Sequence, residues 1–482
     1  MVDALTWVNK FINFGQIQLL ATTTELEDTS MVLPGVMLSL VVVYFASKVG
    51  GEISNKFGLP PVLGELVGGV LVGISALHLL VFPEGEIDGS NSVLMQFLQT
   101  TAGLNPAAAE ATFKAQSEVI SVLAELGIII LLFEIGLESN VKQLIAVGIQ
   151  ATVVACVGVA VPFALGTAGL MIIFGVPAVP AIFAGAALTA TSIGITSKVL
   201  SEIGHLNSRE GQIIIGAAVI DDVLGIIVLA VVASLAKTGK VDALNVVYLI
   251  ISSTVFLLGA ILLGRFFNSW FENISEQLKT RGQLLIPALI FAFILSYIGA
   301  AIRLEAILGA FAAGLILHAT DKRIELERQV QPIADMLVPI FFVTVGARTD
   351  LNVLNPAIPT NREGLVQAVF LIAVAIFGKV VTGFTVFGLD KINRWAIGVG
   401  MIPRGEVGLV FAGVGSASGA ISPATNAAII MTVILTTFLA PPLLRVVFGS
   451  PVKVADESEN AALNGAVTKP LAVEATQESK HN

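Results

Sequence analysis

Cysteine is all but missing from this chain: Cys156 is the single thiol in 482 residues, and it lies in an apolar run. One cysteine closes no disulfide framework and no thiolate metal site within the chain, which argues against thiol redox chemistry. Histidine is sparse as well. The four present, His78, His205, His318 and His481, fall in separate segments without helical ligand spacing, which argues against haem or a multi-histidine metal centre. Charged residues make up only 13% of the chain, too few to clothe a soluble protein of this length. The net charge of −9 comes largely from loops and the C-terminal tail, and no basic stripe suited to nucleic acid is present.

What the chain has instead is apolar length. Hydrophobic residues make up 55% of it and the mean hydropathy is +0.90. Apolar stretches of about 20 residues recur, each able to cross about 30 Å of hydrocarbon as a helix. Backbone polar groups in lipid must be satisfied within the segment, so continuous runs of this kind are helices, whereas a β-barrel needs short alternating segments. The expected fold class is an all-α membrane protein with thirteen spans: about 31–50, 59–82, 117–137, 144–174, 178–200, 212–236, 246–268, 284–301, 303–319, 333–348, 364–388, 395–417 and 424–448. Ahead of this transmembrane domain (31–450), residues 1–30 form an extracytoplasmic or interfacial segment in which Trp7, Phe11 and Phe14 recur at helical spacing; a cleaved signal is the rival reading, weakened by the absence of positive charge before Lys10. Residues 451–482 are polar and Ala/Glu/Asn-rich and read as a disordered cytoplasmic tail.

Most of the 26 Lys and Arg residues fall on the tail's side of the membrane, among them Lys48, Lys56, Lys142, Lys198, Arg209, Lys279, Arg281, Lys322 and Arg323. That asymmetry predicts an N-out, C-in arrangement. A weak internal repeat accompanies it. PVLGELVGGVLVG from Pro61 lies on AILGAFAAGLILH from Ala306, aligning Gly64 with Gly309 and Gly69 with Gly314; an offset of 210 puts Glu125 on Asp335 and Gly136 on Gly346. Paired spans are seven apart, so the copies cross in opposite directions, an inverted repeat of the kind that builds secondary transporters. Chance similarity among Gly/Ala/Leu-rich helices is the alternative.

The sixth span, IIIGAAVIDDVLGIIVLAVV, carries Asp221 and Asp222 near mid-membrane, where each costs about 2.5–3.5 kcal/mol on insertion scales. A helix cap would need a chain break there, and none is suggested. A carboxylate in low dielectric can hold either a proton or a hard cation, the two occupants that exchange chemistry requires. Lys379, in LIAVAIFGKVVTG, is the only lysine deep inside a span and is a natural counter-charge for one aspartate. The fifth and twelfth spans each hold a stretch poor for continuous helix: LTATSIGIT around Thr191 and Ser192, and MIPRGEVGL around Pro403 and Gly405. Broken helices expose carbonyls and half-helix dipoles at mid-depth, so Thr191 is a candidate cation ligand with Asp221 and Asp222, a bond back to its own helix being the alternative; Ser192 is a neighbour at the break, and Arg404 and Glu406 are supporting charges that compensate each other or the dipole ends. Glu65, Glu125, Glu134, Glu138 and Asp335 also fall in or at the ends of spans, with Glu134 and Glu138 on one helical face and Glu125 opposite. The spacing of Gly64 to Gly68 and of Gly69 to Gly73 suggests close helix packing, within or between subunits.

In order along residues 35–448, GLPPVLGELVGGVLVG, LLFEIGLESN, ALTATSIGITSKVL, AAVIDDVLG, FFVTVGARTDL and MIPRGEVGLVFA resemble the monovalent cation/proton antiporter superfamily, in its paired-aspartate branch. The resemblance implies a carrier exchanging Na+, with Li+ a further candidate, for H+ by alternating access, without a cofactor and not as an enzyme. It implies that Asp222 is the exchanging carboxylate, that Asp221 pairs with Lys379, and that Thr191 sits at the first break. It also implies a mobile core of spans 4–6 and 11–13, joined by span 7 to a scaffold through which the protein forms a homodimer. No strand–helix G-x-G-x-x-G unit follows, so the nucleotide-binding domain of potassium-efflux relatives is not expected. Glu134 stands where many relatives are apolar, a point of similarity to plastid and cyanobacterial members; the bacterial inner membrane is the expected location, with a thylakoid membrane the option for a photosynthetic source. Potassium/proton exchange and an ion channel are the competing transport readings.

Overall fold

The computed structural model describes residues 31–83, 87–238, 242–357, 359–389 and 391–449, and within its helices the side chains of some residues, Glu406 included, lie outside the described set. The expected N-terminal helix and the tail also lie outside it. In chain order the described helices are α1 (Val32–Lys56), α2 (Pro61–Val72), α3 (Val93–Ala102), α4 (Pro106–Glu138), α5 (Val141–Ala146), α6 (Gly148–Ile173), α7 (Ala178–Ala187), α8 (Ile193–Glu202), α9 (Arg209–Thr238), α10 (Ala243–Gln277), α11 (Leu285–Ala301), α12 (Ala306–Leu317), α13 (Arg323–Ala347), α14 (Pro359–Phe384), α15 (Arg394–Gly400), α16 (Glu406–Ala417) and α17 (Pro423–Phe448).

These helices account for the thirteen apolar windows, two of which are interrupted: α7 and α8 divide the fifth, and α15 and α16 the twelfth. Local chemistry sets the ends. Pro61 occupies the first turn of α2, where a missing N–H costs nothing, and the side chains of Asn105, Ser192 and Ser422 cap α4, α8 and α17. Among the described residues, seven helices are long and apolar enough to cross a membrane by length and composition. The window at 59–82 is helical only to Val72. At Gly73 the chain leaves the helix and turns back, with the amides of Leu79 and Leu80 donating to the Val72 carbonyl at 2.9 and 2.8 Å. Apolarity alone cannot distinguish that re-entrant stretch from continued helix.

Packing sorts the helices into two groups. α1, α2, α4, α11, α12 and α13 pack chiefly on one another, as do α6, α7, α9 and α14–α17, while α10 touches α9, α11 and α12. In the first group the inverted repeat is visible in the contacts. A methyl on Gly69 of α2 would collide with the backbone of α13 at Val343 and Gly346; one on Gly314 of α12 would collide with α4 at Phe133 and Gly136. Aligning Gly69 with Gly314 and Gly136 with Gly346 turns one contact into the other. Likewise Gly64 meets Gly50 of α1, and its counterpart Gly309 meets Leu295 of α11. Gly127 of α4 meets the carbonyl of Leu337 in α13, the position with which the 210-residue offset aligns it, so the pseudo-twofold axis passes here.

Candidate functional site

The two helix breaks face each other at the centre of the second group. The amide of Ser192 donates to the Pro403 carbonyl at 2.9 Å, and the hydroxyls of Thr191 and Thr196 donate to the carbonyls of Met401 and Gly400, each at 3.1 Å. From the second break, Arg404 Nη1 donates to the Ala190 carbonyl at 2.7 Å. Free amides and carbonyls at broken helix ends cost several kcal/mol in lipid if left alone, and here the breaks satisfy one another. Gly405 is required by this approach: a Cβ there would lie 2.9 Å from Ser192 Oγ.

α9 passes beside the cross and brings Asp221 and Asp222, both buried. Successive helix residues point about 100° apart, and the two carboxylates serve different surroundings. Asp221 Oδ2 pairs with Lys379 Nζ at 2.9 Å, both side chains fully buried, and the same Nζ donates to the Thr189 carbonyl at 2.7 Å. Lys379 reaches this point because α6 is thin where it faces α14: Gly158 lies against Nζ, and Pro162 packs on Gly378. Asp222 lines a narrow cleft with room for about one water-sized group, together with Ala190, Thr191, Ser192, Gly194 and Gly405 of the breaks and Glu305 and Ile307 at the start of α12.

The sequence therefore placed Asp221, Asp222, Lys379, Thr191, Ser192 and Arg404 in one neighbourhood, and the structure brings these side chains together. Arg404 is oriented by the Ala190 carbonyl, and among the described residues its Nε and Nη2 meet no acceptor. Its expected compensation by Glu406 concerns a side chain outside the described set; the backbone of Glu406 opens α16. The remaining carboxylates do not line the cleft. Glu65 accepts from Ser47 at 2.9 Å and Glu138 from Ser201 at 3.4 Å, Lys198 lies within electrostatic reach of Glu65, Glu134, Glu138 and Glu202, and Asp335 is exposed. Two contributors escaped the sequence. Thr189 acts through its carbonyl, which has no side-chain signature, and Glu305, at the start of an apolar span behind Arg303, reads as an interfacial charge.

The chain matches the family model described as sodium/hydrogen exchanger, transmembrane, over residues 36–448. It is 66% identical over 428 residues to the high-affinity Na+/H+ antiporter NhaS3 of a Synechocystis strain, covering 89% of this chain and 93% of that protein. It is 32% identical over 428 residues to the Na+/H+-K+ antiporter GerN of Bacillus cereus, covering 87% of this chain and 98% of the relative. Among solved structures, the sodium proton antiporter MjNhaP1 of Methanocaldococcus jannaschii superposes with a TM-score of 0.56 at 17% identity, covering 87% of this chain and 97% of that one, a likeness of fold.

Proposed function

Because this chain belongs to the transmembrane sodium/hydrogen exchanger family, we propose that Asp222 is the group that exchanges a proton for a cation and that the Asp221–Lys379 pair couples to it. The chain is an integral membrane protein, a secondary active Na+/H+ antiporter working by alternating access, and not an enzyme. The observation that carries the site reading is the division of labour on α9: Asp221 is committed to Lys379 at 2.9 Å, whereas Asp222 lines the cleft with Thr191 and Ser192. A carboxylate set in a cleft beside Thr191 and Ser192 suits a hard, partly dehydrated cation, and the same carboxylate takes a proton when the cation leaves.

In this scheme Na+ entering at Asp222 displaces its proton and draws Asp221 away from Lys379. The ammonium, deprived of its partner in a low-dielectric site, gives up a second proton. Two protons then move against one sodium ion, and the cycle carries net charge. If Lys379 keeps its proton, one proton exchanges for one sodium and voltage has no direct drive. The relative GerN, described as a Na+/H+-K+ antiporter, makes potassium the rival cation. Proton movement in everted vesicles, recorded with Na+, Li+ and K+ added separately, tests the selectivity: a response to Na+ and Li+ is expected, and a response to K+ alone would exclude sodium.

The N-out, C-in arrangement in a bacterial inner membrane, or a thylakoid membrane in a photosynthetic source, belongs to the same proposal. A reporter fused after Asp88 should read extracytoplasmic and one at Glu276 cytoplasmic; reversed signals overturn it. A homodimer is likewise proposed. α1 presents Leu33, Met37, Val41 and Phe45 at 56–69% exposure on one stripe, a surface for lipid or a second copy, and the mass of the detergent-solubilised protein distinguishes the two.

A further inference from the structure

The cleft beside Asp222 has walls from both packing groups. One wall is the pair of helix breaks; the other is the start of α12, with Glu305 and Ile307. Glu305 occupies the N-cap of α12, where a polar side chain ordinarily turns back to accept from the first amides of its own helix. It makes no such bond, although the amides and the helix dipole there favour an anion. Glu305 is among the residues that line the cleft with Asp222. The other end of the repeat is built differently. Under the alignment of Gly64 with Gly309, position 305 corresponds to Pro60. There α2 offers only an amide, that of Val62, to Glu202 Oε2 of α8 at 3.3 Å.

Resting on the reading of Asp222 as the exchange site, we propose that Glu305 is a second cation ligand, a relay carboxylate that passes a monovalent cation to or from Asp222 on one face of the membrane only. That face carries Arg303 and Asn245, whose 2.7 Å hydrogen bond ties the start of α12 to the start of α10; in the N-out arrangement it is extracytoplasmic. The side chains of Ile193, Ile307 and Val407, which also line the cleft, offer a cation no oxygen, so a carboxylate on the α12 wall supplies a ligand type that wall otherwise lacks. Glu305 and Asp222 sit on different packing groups, so movement of one group against the other changes their separation. The relay is thus made in the state open to that face and lost in the other.

The test measures the Na+ half-saturation of exchange separately from each face, in right-side-out and everted vesicles, for the parent, Glu305→Gln and Glu305→Asp. Glu305→Gln should raise the half-saturation concentration about five-fold at the extracytoplasmic face, roughly 1 kcal/mol, and leave the cytoplasmic value within about two-fold. Glu305→Asp should recover most of the loss, and if Glu305→Gln does not reach the membrane, Glu305→Asp should still show a smaller shift confined to the same face. Equal shifts at both faces, no shift at either, or a shift confined to the cytoplasmic face overturn the proposal. A parent protein that does not exchange Na+ would instead overturn the reading of the exchange site, so the two failures are distinct.

Discussion

Among α1, α2, α4 and α11–α13, the two copies of the repeat meet through the same contacts, glycine on backbone, in Gly69 with Gly346 and in Gly136 with Gly314. Among α6–α9 and α14–α17 each copy contains one helix break, but their side chains part. α9 brings Asp221 and Asp222, whereas α17, seven spans later, brings Thr432, Thr436 and Thr437, whose hydroxyls bond to the carbonyls of Ala428, Thr432 and Arg404. Among the described residues, the buried carboxylates Asp221 and Asp222 come from the first copy, and the buried cations Lys379 and Arg404 come from the second. Close approach is a demand that both copies can meet alike. Charge is not, because like charges brought to a common axis repel in low dielectric, so the copy that holds the ion and the copy that balances it must diverge.

The largest effect that separates these two regions is loss of exchange without loss of fold. Asp222→Asn should abolish Na+-driven proton movement in everted vesicles while the purified protein keeps its thermal midpoint, since an amide cannot alternate between proton and cation; near-parental exchange would remove Asp222 from the mechanism. In the glycine-packed region the effect should fall on stability instead. Gly136→Val drives side-chain atoms into the backbone of α12 at Phe311 and Gly314 and should cost about 1–3 kcal/mol or more, seen as a lowered melting temperature. Gly413→Val, where nothing lies within 4 Å, should leave it unchanged. Equal melting temperatures for the two would show that the glycine contacts are not what holds the repeat together.

Lys379→Gln makes a finer distinction, between holding the ion and counting the charge. With no pH gradient, the parent protein in liposomes should move Na+ uphill when a voltage is imposed, at about 2.3 kcal/mol per net charge per 100 mV. The variant should lose this voltage dependence more than it loses Na+ binding; a parent indifferent to voltage would refute the two-proton cycle and leave the antiporter standing. The smallest effect is expected at Thr437→Val, which removes the 2.6 Å hydrogen bond to the Arg404 carbonyl. A loss of about 1 kcal/mol in stability, with Na+ affinity close to the parent's, would mark this hydroxyl as support for the second break.

Asp221, Asp222 and Lys379 were legible because a charge in an apolar run is costly and needs a reason, and the breaks were legible because Thr191, Pro403 and Gly405 interrupt otherwise continuous helix. The partners were not. Nothing in the residues around Arg404 names the acceptor of its Nη1, the Ala190 carbonyl 214 residues away. Acceptors of that kind belong to the backbone, and every residue has one. The re-entrant stretch after Gly73 was hidden for a related reason, since its residues are as apolar as the helix before it.

The bonds between the two breaks have a mechanical meaning. Ser192 to Pro403, Thr191 to Met401, Thr196 to Gly400 and Arg404 to Ala190 lash the crossing helices together at their weakest points. A lattice braced at its crossing is stiff in shear, so force applied at its rim turns it as a whole before it opens the centre. The ligands of the breaks then keep their spacing while the assembly tilts, and what changes between the two faces is which solvent reaches them.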